Sequence, residues 1–147
     1  MLTLHAADEV RAAWDAEPLP DGAVAVEGGR IAAVGPLAEI EGRFPGARVR
    51  RWPGVLGPGR VHDGPLPDAP SPRERVHEVL KSGAVAVVER YVDEGLRFAA
   101  ERNGLLVLPA PRPAVLAAGA RADLAVLGAD GACLATVCAG RLVHRRR

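Results

Sequence analysis

The sequence predicts an α+β protein that is mainly β: an antiparallel β-sandwich built from both chain ends, with a small αβαβ unit inserted between them. Three observations predict it. Gly22-Ala-Val-Ala-Val-Glu-Gly-Gly-Arg-Ile-Ala-Ala-Val-Gly35 alternates apolar and small residues on either side of Gly28-Gly29, as a β-hairpin does. Near the other end the chain repeats the idea, with Val26-Glu-Gly-Gly-Arg-Ile31 echoed by Val137-Cys-Ala-Gly-Arg-Leu142. Between them the period changes to helix, strand, helix, strand, the order of a small parallel unit. Residues 1–59 and 109–147 are therefore assigned to the sandwich, and 60–108 to the insert.

In chain order, Met1 to His5 alternates and reads as a first strand, continuing as strand or loop through Ala16. Pro18 to Gly22 is a turn into the hairpin. Pro36 sits at the first position of a short helix with Leu37, Ile40 and Phe44 on one side, ended by Pro45-Gly46. Ala47 to Trp52 sets Val49 against Arg48 and Arg50, a strand with one wet face. From Pro53 to Pro72 proline and glycine are so dense that no long regular element is expected, beyond a brief extended piece at Val61-His62. Ser71-Pro-Arg-Glu74 has capping-box spacing and opens a helix burying Val76, Val79 and Leu80, with Gly83 as its stop. Ala84 to Val88 is an apolar run of strand length, Asp93 caps a helix through Asn103, and Leu105 to Leu108 is a further strand. Asp123 to Leu127, a turn at Gly128 to Gly131, and the hairpin Cys133 to His144 complete the sheet, leaving Arg145 to Arg147 as a solvated tail.

Composition excludes several function classes. Net charge is +1, so no global field attracts nucleic acid or an acidic membrane surface. Asp8 and Glu9 precede any apolar run of export length, and nothing approaches the roughly 18 apolar residues of a membrane span. The expectation is a cytoplasmic protein with no nucleic-acid or membrane partner. Cys133 and Cys138 are an odd number of residues apart on one strand, which points them to opposite faces, reduced and packed as small hydrophobes.

Both ends resemble the amidohydrolases, especially imidazolonepropionase-like and related deaminating members. The first hairpin is followed by Trp52-Pro-Gly-Val-Leu-Gly-Pro-Gly59, and the tail has Gly119-Ala-Arg-Ala-Asp-Leu-Ala-Val-Leu127 and then Thr136-Val-Cys-Ala-Gly-Arg141. The resemblance implies a composite β-domain formed by the two ends beside a metal-bearing (β/α)8 barrel. That barrel occupies about 250 residues, whereas the stretch between the matching ends holds only the αβαβ unit. The resemblance also implies a motif Pro-Gly-x-[Val/Ile]-[Asn/Asp]-x-His-x-His whose two histidines bind the metal. On this chain it runs Pro58-Gly59-Arg60-Val61-His62-Asp63-Gly64-Pro65-Leu66, placing Gly64 and Leu66 at the ligand positions, where neither can coordinate.

The expectation is therefore no catalytic residue, no cofactor and a non-catalytic protein acting through assembly or binding. Its partner would be a second copy, as a homodimer, or another subunit. The interface is expected on the inserted unit, around Val85 to Val88 and Leu105 to Leu108, because parallel strands of a partial barrel leave open edges and an uncovered face. The alternative is a reduced metal-dependent hydrolase acting on non-peptide C–N bonds and completed by a second chain. Zinc or another divalent metal would then bind His62, Asp63 and His77, with Asp68 or Glu74. Asp123 reads as a strand-end hydrogen-bond partner rather than an acid catalyst.

Overall fold

A computed structural model describes residues 2–146. Its main sheet contains β1 (Leu2–Val10), β2 (Leu19–Pro20), β3 (Gly22–Glu27), β4 (Arg30–Pro36), β5 (Arg48–Pro58), β9 (Leu124–Leu127), β10 (Cys133–Cys138) and β11 (Arg141–Arg145). The path across it is β11-β10-β9-β5-β1-β3-β4, with β2 beside β1. A second, parallel sheet runs β6-β7-β8 (Arg60–His62, Ala84–Val88 and Leu106–Leu108). Helices α1 (Leu37–Arg43), α2 (Pro72–Lys81) and α3 (Glu94–Arg102) complete the fold.

The main sheet folds over on itself. Val24, Val26 and Ile31 from one wing and Leu124, Val126, Ala135 and Val137 from the other share a single core with Trp52 and Leu56. Residues 119–122 hydrogen-bond to the edge of β4 through Ile31 N–H to Ala120 O (2.9 Å), Gly119 N–H to Ile31 O (2.8 Å) and Ala122 N–H to Gly29 O (2.8 Å). The two hairpin turns that echo each other in sequence also meet in space. A Cβ built on Gly140 would stand 2.1 Å from the carbonyl oxygen of Gly28, and Gly140 has φ +82°. Only glycine fits both demands.

Two expectations about the sheet are corrected. It is mixed, because β5 joins β1 in parallel while every other pairing in it is antiparallel among the described residues. Helix α1 is the crossover that returns the chain in the same direction, and Leu37 and Ile40 pack with Leu4, Ala6, Ala23, Ala25 and Ala33 on the outer face. Pro36 is the residue preceding this helix rather than its first turn. The second correction is length: β5 runs through Pro53 and Gly54 to Pro58. The register with β1 shifts between Ala7↔Trp52 and Glu9↔Val55, so the Pro-Gly pair is absorbed as a bulge. Gly54, at φ +87°, donates its N–H to Asp8 Oδ2 at 2.9 Å.

The αβ unit follows its sequence signals closely. Ser71 Oγ accepts the Glu74 N–H at 3.2 Å, and Asp93 Oδ1 accepts the Leu96 N–H at 2.8 Å. Val76, Val79, Leu80, Leu96, Ala99 and Ala100 are buried against Val85 and Val87. Thr136 fastens this unit to the sandwich: its hydroxyl, fully buried, donates to Leu80 O at 2.7 Å. Thr136→Val is expected to remove this link while Leu80 O keeps the Gly83 N–H at 3.1 Å, lowering stability by about 0.5–1.5 kcal/mol, seen as a lower urea midpoint at an unchanged slope.

Cys133 and Cys138 do not point to opposite faces. The register of β10 against β9 shifts between Cys133 and Ala135, and this bulge restores phase. Cys133 Sγ lies 3.4 Å from Thr136 Oγ1, and Cys138 Sγ donates to Gly104 O at 3.0 Å, so both face the αβ unit; both are free thiols.

Candidate functional site

In parallel α/β units, side chains at the carboxyl ends of the strands are those available for chemistry. Here β6 ends at His62, β7 runs into a single 3-10 turn (Glu89–Tyr91), and β8 ends at Leu108. His62 Nε2 is 2.9 Å from Pro65 O. A carbonyl oxygen only accepts, so the proton sits on Nε2 and the ring secures its own turn. Asp63 lies 3.6 Å from Arg90, whose guanidinium also donates to the Tyr91 hydroxyl at 2.9 Å. His77 is on the exposed side of α2, where its charge acts on His144 of β11. Burial is the main cause holding His144 below its usual pKa, opposed by its contact with Cys133 O. Among the described residues no three His, Cys, Asp or Glu side chains group closely enough to hold a metal ion.

The two ligand positions of the family pattern have other uses. Leu66 is 3 % exposed and packs in the core of the αβ unit with Val76, Val79 and Leu96. Arg75 fixes this stretch from α2, donating to Leu66 O at 2.9 Å and Pro67 O at 3.0 Å. The chain after β6 is thus drawn into the helical layer. Gly64 contributes no side chain at all.

The face of the small sheet turned away from its helices was expected to lie open. Instead Ala86, Val88 and Leu108 are buried, and residues 112–115 pass over a cleft lined also by Val61, Ala86 and Leu106. The cleft holds about 140 Å3, below the roughly 300 Å3 at which drug-sized ligand sites begin. Of the three charged residues that line it, Arg112, Arg121 and Asp123, the last two are committed to structure. Arg121 Nε donates to Asp123 Oδ1 at 2.8 Å, and Arg121 Nη2 donates to Gly104 O and to Cys138 Sγ. Asp123 Oδ1 also accepts the Ala139 N–H at 2.9 Å. Asp123 is therefore the strand-end partner its sequence context indicated. Burial raises the Cys138 thiol pKa, against the opposing pull of Arg121, which keeps it protonated and unreactive.

A polar group that sequence reasoning did not single out lies at one end of the sandwich. Trp52 Nε1 donates to His5 Nδ1 at 3.2 Å, and both rings are buried and stacked. Arg50 and Arg145 approach the Trp52 ring, with guanidinium carbons 5.6 and 5.8 Å from its centroid. Burial, then Arg50 and Arg48, lower the pKa of His5 to about 4. The available signal was the period-two spacing of Arg48, Arg50 and Trp52.

Against known proteins, residues 22–47, which hold β3, β4 and α1, match a family model described as the imidazolonepropionase-like composite domain of bacteria. No curated protein matches the chain by sequence. Among solved structures, an adenosine deaminase from Xanthomonas campestris with bound zinc is 23% identical, with a TM-score of 0.57 over 72% of this chain and 33% of that one. Escherichia coli guanine deaminase is 15% identical, with a TM-score of 0.57 over 73% and 35%. Ochratoxinase from Aspergillus niger is 19% identical, with a TM-score of 0.52 over 72% and 30%. The chain spans about a third of the length of these structures, and at such identities the likeness is one of fold. The first hairpin is thus similar to an imidazolonepropionase-like composite domain, and the fold is like that of these deaminases and hydrolases.

Proposed function

We propose that this composite-domain protein performs no metal-dependent hydrolysis of its own and acts by assembling with a second copy of itself or another subunit. The observation that carries the reading is Leu66. A side chain sealed in the αβ core occupies a position where the family pattern requires a metal-binding histidine. His62 and Asp63, engaged with Pro65 and Arg90, and the small cleft support it further.

The surface for assembly is narrower than the one the sequence indicated, keeping Leu105 to Leu108 without Val85 to Val88. Val85 to Val88 belong to the middle strand of the small sheet and are fully buried within the chain, so they are not available to a partner. The open feature is the far edge of β8, where Leu106 and Val107 are half-buried and no strand of the described chain pairs beyond. Light scattering at micromolar concentration, with metal content measured on the same sample, is the test. A dimer or larger assembly without stoichiometric metal is expected, with slowed amide exchange at Leu106–Leu108 relative to dilute protein. A monomer throughout removes the assembly reading. Stoichiometric zinc with turnover of an amidine would favour a reduced hydrolase acting on non-peptide C–N bonds.

A further inference from the structure

The polar end of the sandwich has an orientation that alternation alone does not reveal. Paired residues on neighbouring strands share a face, and β5 pairs with β1 as Thr3↔Arg48, His5↔Arg50 and Ala7↔Trp52. Ala7 and Trp52 belong to the core between the wings, so Arg48 and Arg50 face that interior too. Val49 between them points the other way and packs beneath α1. Arg145 is paired with Ala135, another member of the inner core, and comes from the opposite wing with the same inward sense. The wet side of this strand is thus the inner side of the sandwich at its end.

Three guanidiniums directed into one region repel one another, and each presents N–H donors in a planar fork. Among the described residues no carboxylate lies at ion-pair distance from Arg48, Arg50 or Arg145. His5 adds an imidazole whose Nδ1 is occupied by Trp52, which fixes the remaining N–H on Nε2. We propose that Arg48, Arg50 and Arg145, set around Trp52 and His5, form a binding site for a small oxyanion, a phosphate or carboxylate compound. Arginine forks match the paired oxygens of both groups, and the indole beneath them offers an apolar floor.

The two tryptophan indole N–H signals of the 15N-labelled chain provide the readout. Inorganic phosphate and succinate are titrated separately at constant ionic strength, with sodium chloride as control, and the Trp52 signal is assigned by Trp52→Phe. The expected result is a saturable shift of the Trp52 signal with phosphate, succinate or both, the Trp14 signal remaining in place. Arg145→Gln, at an exposed side chain, and Arg50→Gln should each raise the half-saturating concentration at least tenfold while the melting temperature is retained. Saturation by one anion alone assigns the ligand class. Shifts no larger than those given by chloride, or equal affinity in Arg50→Gln and Arg145→Gln, would overturn the proposal and leave the arginines as covers over the indole.

Discussion

Gly140→Ala should be among the most damaging single-methyl changes in this protein. The added Cβ would sit 2.1 Å from Gly28 O and 3.1 Å from the carbon of that carbonyl, and φ is +82°. Neither neighbour is a flexible side chain, so one of the two hairpin turns has to move. The left-handed backbone costs a non-glycine residue about 1–2 kcal/mol, and the forced displacement about 1–3 kcal/mol more. A loss of about 2–5 kcal/mol is expected. Gly28→Ala supplies the control, since φ there is +61° but nothing lies within 4 Å of its Cβ; it should show the backbone part alone. Equal melting temperatures for the two variants would mean that the turns do not touch.

The second large effect is one of pH. Protonating His5 on Nδ1 would set an N–H against the Trp52 N–H and place a buried cation beside Arg50 and Arg48. Its pKa falls from 6.5 to about 4 on folding, so between those values the unfolded chain binds more protons. Stability is therefore full above pH 6.5 and is lost as pH falls towards 4. The loss is on the order of 3 kcal/mol over that window, with about 2 kcal/mol of it above pH 5. His144, also held below its usual pKa chiefly by burial, adds to the trend in the same direction. His5→Gln keeps an oxygen acceptor for Trp52 and should flatten the profile between pH 7 and 5 relative to wild type. Parallel urea midpoints for the two proteins across that range would contradict the account.

What could be read from the sequence was whatever local chemistry dictates. Ser71 and Asp93 announce two helices because a side-chain oxygen three residues before a free N–H is a local arrangement, and both caps are made. The hairpins at Gly28 and Gly140 were equally legible from turn residues flanked by alternation. Where neighbours decide, the reading failed. Pro53 and Gly54 look like breakers, yet β1 and β9 on either side of β5 hold the strand together and turn the dipeptide into a bulge. Cys133 was assigned a face by counting, and a shift against β9 that no residue type signals reversed it. The exposed face assumed for the small sheet ignored residues 112–115, an Arg-Pro-Ala-Val stretch that carries no periodic pattern.

The same limit applies to the site. Substitution of both ligand positions was evident from Gly64 and Leu66 once the resemblance was drawn, because it depends only on what atoms those residues have. The inward turn of Arg48 and Arg50 was not, since alternation separates two faces without saying which one the other wing will cover.

The place of β9 between β5 and β10 bears on how the protein is made. Strand β5 acquires β1 as a neighbour early, but its opposite border waits for Leu124–Leu127, paired through Val55↔Leu127 and Leu56↔Val126. At translation speeds of about 5–20 residues per second, a ribosome-bound chain spends several seconds with that border bare and Leu56, buried in the finished protein, exposed to solvent. Synthesis therefore passes through a half-built sandwich open to other nascent chains, and that border closes only when Leu124–Leu127 has left the exit tunnel.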